Sequence, residues 1–373
     1  LSLVSTNAQE WSRFRGENGK GVGSMSHLPD QFSKAAYDWV IKLNGVGHSS
    51  PVLWGDQLFI TVSSKDGSER RIESYDALNG KCEWVWKAPL EEHHLHKYNN
   101  FASSTPVATA DAVYAVWGSG GKTEAVALSH KGELLWNREW PSFSSDHGFG
   151  ASPIVCGETL IFHTDSAKSR ISQVIGLNPV TLWEIQRKTE GADKKHLTAY
   201  NTPTTITIDG REMVVVLETN DGWKSLDPAT GEVIWGYAGD YSMRSVGSIA
   251  SGDGLLFATF GSGGKGKQAT ALRPGREGAP EVVYELGIAD GLGYVPSPII
   301  HDGLLYLWGD GGILTCRDAQ TGAKVYRERV GGNYFSSPVI VDGKIVCGSR
   351  DGEFVSVKLG QKFEILGRSR LSS

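Results

Sequence analysis

The chain has 373 residues, 39% of them hydrophobic, with 47 Gly, 12 Trp and a formal net charge of -5. This is the composition of one large soluble domain with turns for many strands and large side chains to pack between them. The modest, dispersed charge shows no basic stripe for nucleic acid, and no run of about eighteen apolar residues is present to span a membrane.

In chain order, Leu1-Ser-Leu-Val-Ser-Thr-Asn-Ala8-Gln-Glu10 reads as the tail of a cleaved secretory signal with the cut at Ala8. A periplasmic or secreted protein is therefore expected. Gln9 stands where a lipoprotein would carry Cys, which argues against lipid anchoring at this site. Residues 1–34 read as an N-terminal arm (signal remnant 1–8) and 35–373 as a single domain. Within the arm, Trp11, Phe14 and the two arginines Arg13 and Arg15 point to packing across that domain, closing a channel or stapling two sheets; a partner-facing surface is the other reading. The segment Tyr37-Asp-Trp39-Val-Ile-Lys-Leu43 alternates like an outer strand but has no hairpin before it.

From residue 50 onward one module repeats. Its starts are Ser50-Pro51, Thr105-Pro106, Ser152-Pro153, Thr202-Pro203, Gly247-Ser248, Ser297-Pro298 and Ser337-Pro338, at roughly the 40 to 55 residue period of a propeller blade. After each start come short apolar runs split by a hairpin signal: Gly55-Asp56, Asp209-Gly210, Gly252-Asp253-Gly254, Asp302-Gly303 and Asp342-Gly343. The module ends on a turn and an aromatic, as in Asp76-x-x-x-Gly80 with Trp84, Asp227-x-x-x-Gly231 with Trp235, and Asp318-x-x-x-Gly322 with Tyr326. Aspartate caps such a turn, glycine accepts its positive φ, and the aromatic fills the space between neighbouring sheets. The blade-closing set is Trp39, Trp84, Trp136, Trp183, Trp235, Tyr284, Tyr326 and Phe363; the third turn is abbreviated to Leu177-Asn-Pro-Val-Thr-Leu-Trp183.

The fold class is all-β: a propeller of four-stranded antiparallel blades. Seven repeats are clear, and the Trp39 segment has no sheet of its own. Eight blades in the intact protein are favoured, with the Trp39 strand closing a last blade that is incomplete in this chain; a seven-bladed closure of another kind is the alternative.

Function has to be read from the loops. The connections that precede each module start converge on one face. They carry His48, Tyr98, Asn99, Asn100, Asp146, His147, Tyr200, Asn201, Arg244, Tyr294, Asn333 and Tyr334. Such a ring suits a ligand held by stacking and hydrogen bonds, or else it plugs the channel; both readings stand. The run Glu91-Glu-His-His-Leu-His96 lacks zinc-motif spacing and reads as a solvated loop, and Gly118–Gly121 and Gly261–Gly264 precede no helix and read as hairpin or strand-end loops. Cys82, Cys156, Cys316 and Cys347 are singletons expected on buried strands, with a Cys316–Cys347 disulfide open. No catalytic residue or metal ligand is assigned.

The repeat resembles that of pyrroloquinoline-quinone (PQQ)-like β-propellers, a family that includes quinoprotein alcohol dehydrogenases and the non-enzymatic lipoprotein of the bacterial outer-membrane assembly machine. Trp11-Ser-Arg-Phe-Arg-Gly16-Glu-Asn18-Gly-Lys-Gly21-Val22, with Leu28-Pro29, further resembles the opening motif of uncharacterised exported propellers of planctomycete-type bacteria. The resemblance covers residues 35–366 and implies eight blades. With no catalytic motif among the residues, the preferred reading is a non-catalytic exported scaffold that binds a protein, peptide or glycan of the cell envelope on its loop face as a monomer and without a cofactor. The alternative is a quinoprotein dehydrogenase using PQQ and calcium on alcohols or sugars. Against it, the adjacent cysteine pair of such enzymes is absent, and only Asp146, Asn99 and Asn201 suggest themselves as calcium ligands.

Overall fold

Asp-Gly pairs set the register of the innermost hairpins. In Asp209-Gly210, Asp302-Gly303 and Asp342-Gly343 both residues take positive φ (48 and 74, 48 and 74, 50 and 68°), the two-residue turn whose twist matches antiparallel strands. The computed structural model of the protein describes residues 11–25, 27–141, 143–177, 182–187 and 198–371. Seven four-stranded antiparallel sheets follow one another along the chain as propeller blades. Blade 1 comprises β1 (Val52–Trp54), β2 (Gln57–Ser63), β3 (Glu69–Asp76) and β4 (Cys82–Pro89). Blades 2 to 7 span 107–141, 154–186, 204–237, 250–287, 299–329 and 339–370. Apolar clusters fill the spaces between neighbouring sheets, such as that joining Phe59 and Ile72 of blade 1 to Val113, Trp117 and Leu128 of blade 2.

The Ser/Thr-Pro start has a function between blades. The backbone N–H of Ser50 donates to the Thr105 hydroxyl, Thr105 to Ser152, Ser152 to Thr202, Thr202 to Ser248, Ser248 to Ser297, and Ser297 to Ser337, all at 2.9 to 3.3 Å. The fifth blade, which lacks the proline, keeps the hydroxyl and so keeps the link.

The closing turn also acts between blades. Its Asp accepts the backbone N–H groups two and three residues on, as in Asp76 with Leu78 and Asn79. The outer aromatic of one blade then packs on the turn glycine of the next: Trp84 on Gly132, Trp183 on Gly231, Tyr284 on Gly322. Its polar atom donates to a turn carbonyl, that of His130, Pro228 and Ala319 respectively, at 2.8 to 3.1 Å. Opposite each aromatic, the third strand carries a small residue: Ser74, Ala127, Gly176, Ser225, Ala271 or Cys316. At Gly176 a Cβ would lie 1.9 Å from the Trp183 ring.

Three expectations need correction. Residues 37–43 form no strand, because no eighth sheet is present among the described residues to pair with them. Trp39 nevertheless packs on Gly80 and donates to Ala77 O at 2.9 Å, the position an aromatic of a preceding blade would hold. Phe363 precedes the outer strand of blade 7 and packs against Tyr326 at 5.7 Å. The place facing Ser356 belongs to Gly367, where the absence of a side chain admits the backbone of Asp30. Finally, Cys82 is exposed, and all four cysteines are free thiols. The proposed signal remnant and residues 178–181 of the third turn lie outside the described residues.

The arm crosses the channel from blade to blade. The carbonyls of Trp11 and Ser12 accept from Leu53 and Ala108 in blades 1 and 2. Arg13 donates to Pro203 O at 2.7 Å, and Arg15 donates to Pro298 O at 2.9 Å and Pro338 O at 3.4 Å. Gly21 and Gly23 exchange backbone hydrogen bonds with Ile340 of blade 7. Proline removes a donor from the inner strand but leaves its carbonyl, and the two guanidiniums satisfy the carbonyls so exposed. Burial pulls both arginines down to about 10, so they remain cations at neutral pH. Beyond the channel, Leu28, Asp30 and Phe32 lie on blade 7 and residues 39–46 on blade 1, so this segment bridges the two.

Candidate functional site

The chain runs from the loop face down the first strand of each blade and back up the second. Two kinds of connection therefore meet on that face: those entering each blade, and the hairpins between second and third strands. The sequence-derived candidates lie on the first kind, and the structure divides them.

Four are occupied in holding loops and core. Asn99 donates to His147 O at 2.6 Å and accepts from Asn100 N, and Asn100 caps its own turn through Ala102 N at 2.9 Å. Asn201 is 1% exposed and donates to Leu217 O. Tyr334 is fully buried with its ring edge-on to Trp308 at 5.1 Å, and burial pushes its phenol up to about 12. Its neighbour Phe335 faces the mouth instead, as alternation along an extended segment requires.

Another group forms a connected wall. His147 stacks on His96 at 5.0 Å and meets Tyr200 edge-on at 5.5 Å, with the Tyr200 hydroxyl 3.3 Å from His147 Nδ1 and 2.9 Å from Ser145 Oγ. Burial, then the nearby Arg244 and His96, push His147 down to about 4, so it is a neutral acceptor at pH 7. Arg244 donates to the Tyr294 hydroxyl at 3.3 Å, and the Tyr294 backbone is fixed by Asp310 at 2.8 Å. Asp146, His48 and Asn333 are exposed on the rim.

Tyr98 is 44% exposed and joins the two ends of the propeller. From the loop between blades 1 and 2 it meets Phe335 of the loop between blades 6 and 7, ring centres 5.6 Å apart. The Arg350 guanidinium lies 4.4 Å from the Tyr98 ring and 4.5 Å from Phe335, and Lys97 Nζ sits 4.9 Å from Tyr98. Such contacts contribute about 0.5 to 1 kcal/mol each at an exposed site, enough to hold the guanidinium in place. The sequence reading missed Arg350 because it lies in a hairpin between second and third strands. The signal was available, since those hairpins end on the same face.

The His93 loop is not solvated throughout: the His93 ring is wedged edge-on between Phe101 and Phe143 at 5.0 and 5.1 Å, and burial pushes it down to about 4. No group of three or more His, Cys, Asp or Glu converges for a metal among the described residues.

The family model for the outer membrane protein assembly factor BamB matches residues 68–253 and 224–360, well over half of the chain. The chain belongs to the BamB family of PQQ-like propellers. No curated protein sequence matches it. Among solved structures it is similar to BamB from Moraxella catarrhalis, with 16% identity over 89% of this chain and 90% of that one and a TM-score of 0.61. It is also similar to the quinohemoprotein alcohol dehydrogenase of Comamonas testosteroni (12% identity, 97% and 73% covered, TM-score 0.61). A europium-containing methanol dehydrogenase matches with 12% identity, 98% and 86% covered, and a TM-score of 0.52. At these identities the structural likeness is one of fold. This BamB-type propeller has no helix long and apolar enough to cross a membrane among the described residues. Of the three residues that suggest themselves as calcium ligands, Asn99 engages its Oδ1 with Asn100 N and Ser103 Oγ, Asn201 keeps a buried Oδ1 without a hydrogen-bond partner among the described residues, and Asp146 is exposed.

Proposed function

We propose that this protein is an exported, non-catalytic scaffold of the periplasm or the extracellular space that binds a protein, peptide or carbohydrate partner on its loop face as a monomer. The reading rests on one observation: Tyr98, Phe335 and Arg350 build an exposed aromatic and cationic platform from loops at opposite ends of the propeller. Exposed aromatics and arginine are the residues that dominate partner binding. The family supports a protein partner, since its namesake is an assembly factor. Alanine at Tyr98 or Arg244 is expected to weaken partner capture with little change in unfolding temperature, whereas Tyr334→Ala, deep in the core, costs about 3 kcal/mol of stability. Equal stability losses in all three would identify the ring as a channel plug. The dehydrogenase alternative comes from the quinoprotein neighbours. It is tested by titrating the protein with PQQ and calcium while following tryptophan fluorescence and thermal unfolding, and no response is expected.

A further inference from the structure

We infer that the partner presents an acidic segment, an aspartate- or glutamate-rich stretch of polypeptide, which lies on the Tyr98–Phe335 platform with its carboxylates against Arg350 and Lys97. This rests on the scaffold reading above and specifies its ligand.

Three observations support it. First, four of the chain's buried cations have a carboxylate partner: Arg70 lies against Glu124, Arg187 against Asp165, Arg317 against Asp290 and Lys344 against Asp342. Arg350 and Lys97 make no ion pair among the described residues, although both are exposed beside each other's aromatic partner. Second, the Arg350 guanidinium sits in the angle between two rings, which orders it before any ligand arrives and leaves its exposed side for a carboxylate. Third, among the described residues the cation and the histidine of the neighbouring wall are already engaged or neutral. Arg244 is engaged by the Tyr294 hydroxyl and shares its surroundings with Asp146, and His147 is neutral. Lys97 and Arg350 thus place two cations over the aromatic surface, with the exposed Asp351 next to Arg350 in its hairpin. A neutral glycan would use the rings and leave both cations unpaired, whereas an acidic peptide uses both.

The test is fluorescence anisotropy of the whole protein with three fluorescein-labelled peptides of equal length, (Glu-Tyr)4, (Ser-Tyr)4 and (Lys-Tyr)4. Measurements are made at low and at physiological salt. The acidic peptide is expected to bind at least tenfold more tightly than the serine peptide at low salt, with the margin shrinking as salt rises. K97Q/R350Q is expected to remove that margin. K131Q/R276Q, which removes the same charge from the opposite end of the blades, is expected to keep it. Thermal unfolding checks that both variants fold. Equal binding of the acidic and serine peptides, both lost in Y98A, would overturn the acidic-segment inference and leave the scaffold reading standing. Binding of none of the three would overturn the inference and remove the peptide arm of that reading. A loss in K131Q/R276Q equal to that in K97Q/R350Q would show net charge, not this platform, at work.

Discussion

Among the described residues, six seams between blades are made one way and the join of blade 7 to blade 1 another. Between consecutive blades, a backbone N–H reaches the next blade's hydroxyl, and in the regular cases an outer aromatic grips the next blade's turn. Between blade 7 and blade 1 those sheet-to-sheet devices give way to the arm, which lays Asp30 and Phe32 on blade 7 and Trp39 on blade 1. The regular seams are specified by spacing within each repeat; the irregular one by contacts such as Leu28 with Asp342, 314 residues apart. A repeat can thus be held by rules its own sequence carries, whereas closing the array takes a segment written once.

The comparison can be broken first at Arg15. Replacing it by Ala leaves the carbonyls of Pro298 and Pro338 without their donor in a buried site. A loss of about 3 kcal/mol is expected in denaturant unfolding. A loss below about 1 kcal/mol would mean that the arm decorates the channel and does not close it. Next, Trp39→Ala and Trp84→Ala are expected to cost similar amounts, about 2 kcal/mol each, since both indoles are half-buried on a turn glycine and donate to a turn carbonyl. A Trp39 effect far smaller than that of Trp84 would separate the two kinds of seam. A regular seam is probed by Thr105→Val, which removes the acceptor of Ser50 N and should cost about 1 kcal/mol.

The smallest effect concerns pH at the mouth. Burial holds His93 at about 4, below its ordinary value near 6.5, so between these values the unfolded chain takes up a proton that the folded one refuses. Stability contributed by the neutral ring is complete above pH 6.5 and falls as pH drops toward 4. His93→Leu, isosteric enough for the space between Phe101 and Phe143, should flatten that slope in urea midpoints measured from pH 7 to 4. An unchanged slope would assign the acid sensitivity to other groups, His147 first.

The sequence made the blades legible because their information is local. Asp-Gly turns, strand alternation and the Gly-to-aromatic interval each lie within a few residues; the exceptions, residues 37–43 and Phe363, stand where the repeat is incomplete or altered. The Ser/Thr-Pro start was equally visible, but its purpose was not, because the hydroxyl's partner lies in the preceding repeat. The same limit explains the loop face. Tyr334 and Phe335 are adjacent aromatics, and only the backbone path decides that one enters the core while the other meets Tyr98. Arg350 becomes part of the face only when blades 1 and 7 are brought together.

The chain of hydroxyl links has a direction: blades 2 to 6 each donate one hydrogen bond forward and accept one from behind, while blade 1 only donates and blade 7 only accepts. A unit with one socket and one plug is indifferent to how many copies stand in line. Duplication or deletion of a whole repeat would leave every remaining joint chemically intact, so lineages built on this module are free to change blade number in single steps. What has to be reinvented each time is the strap that closes the circle.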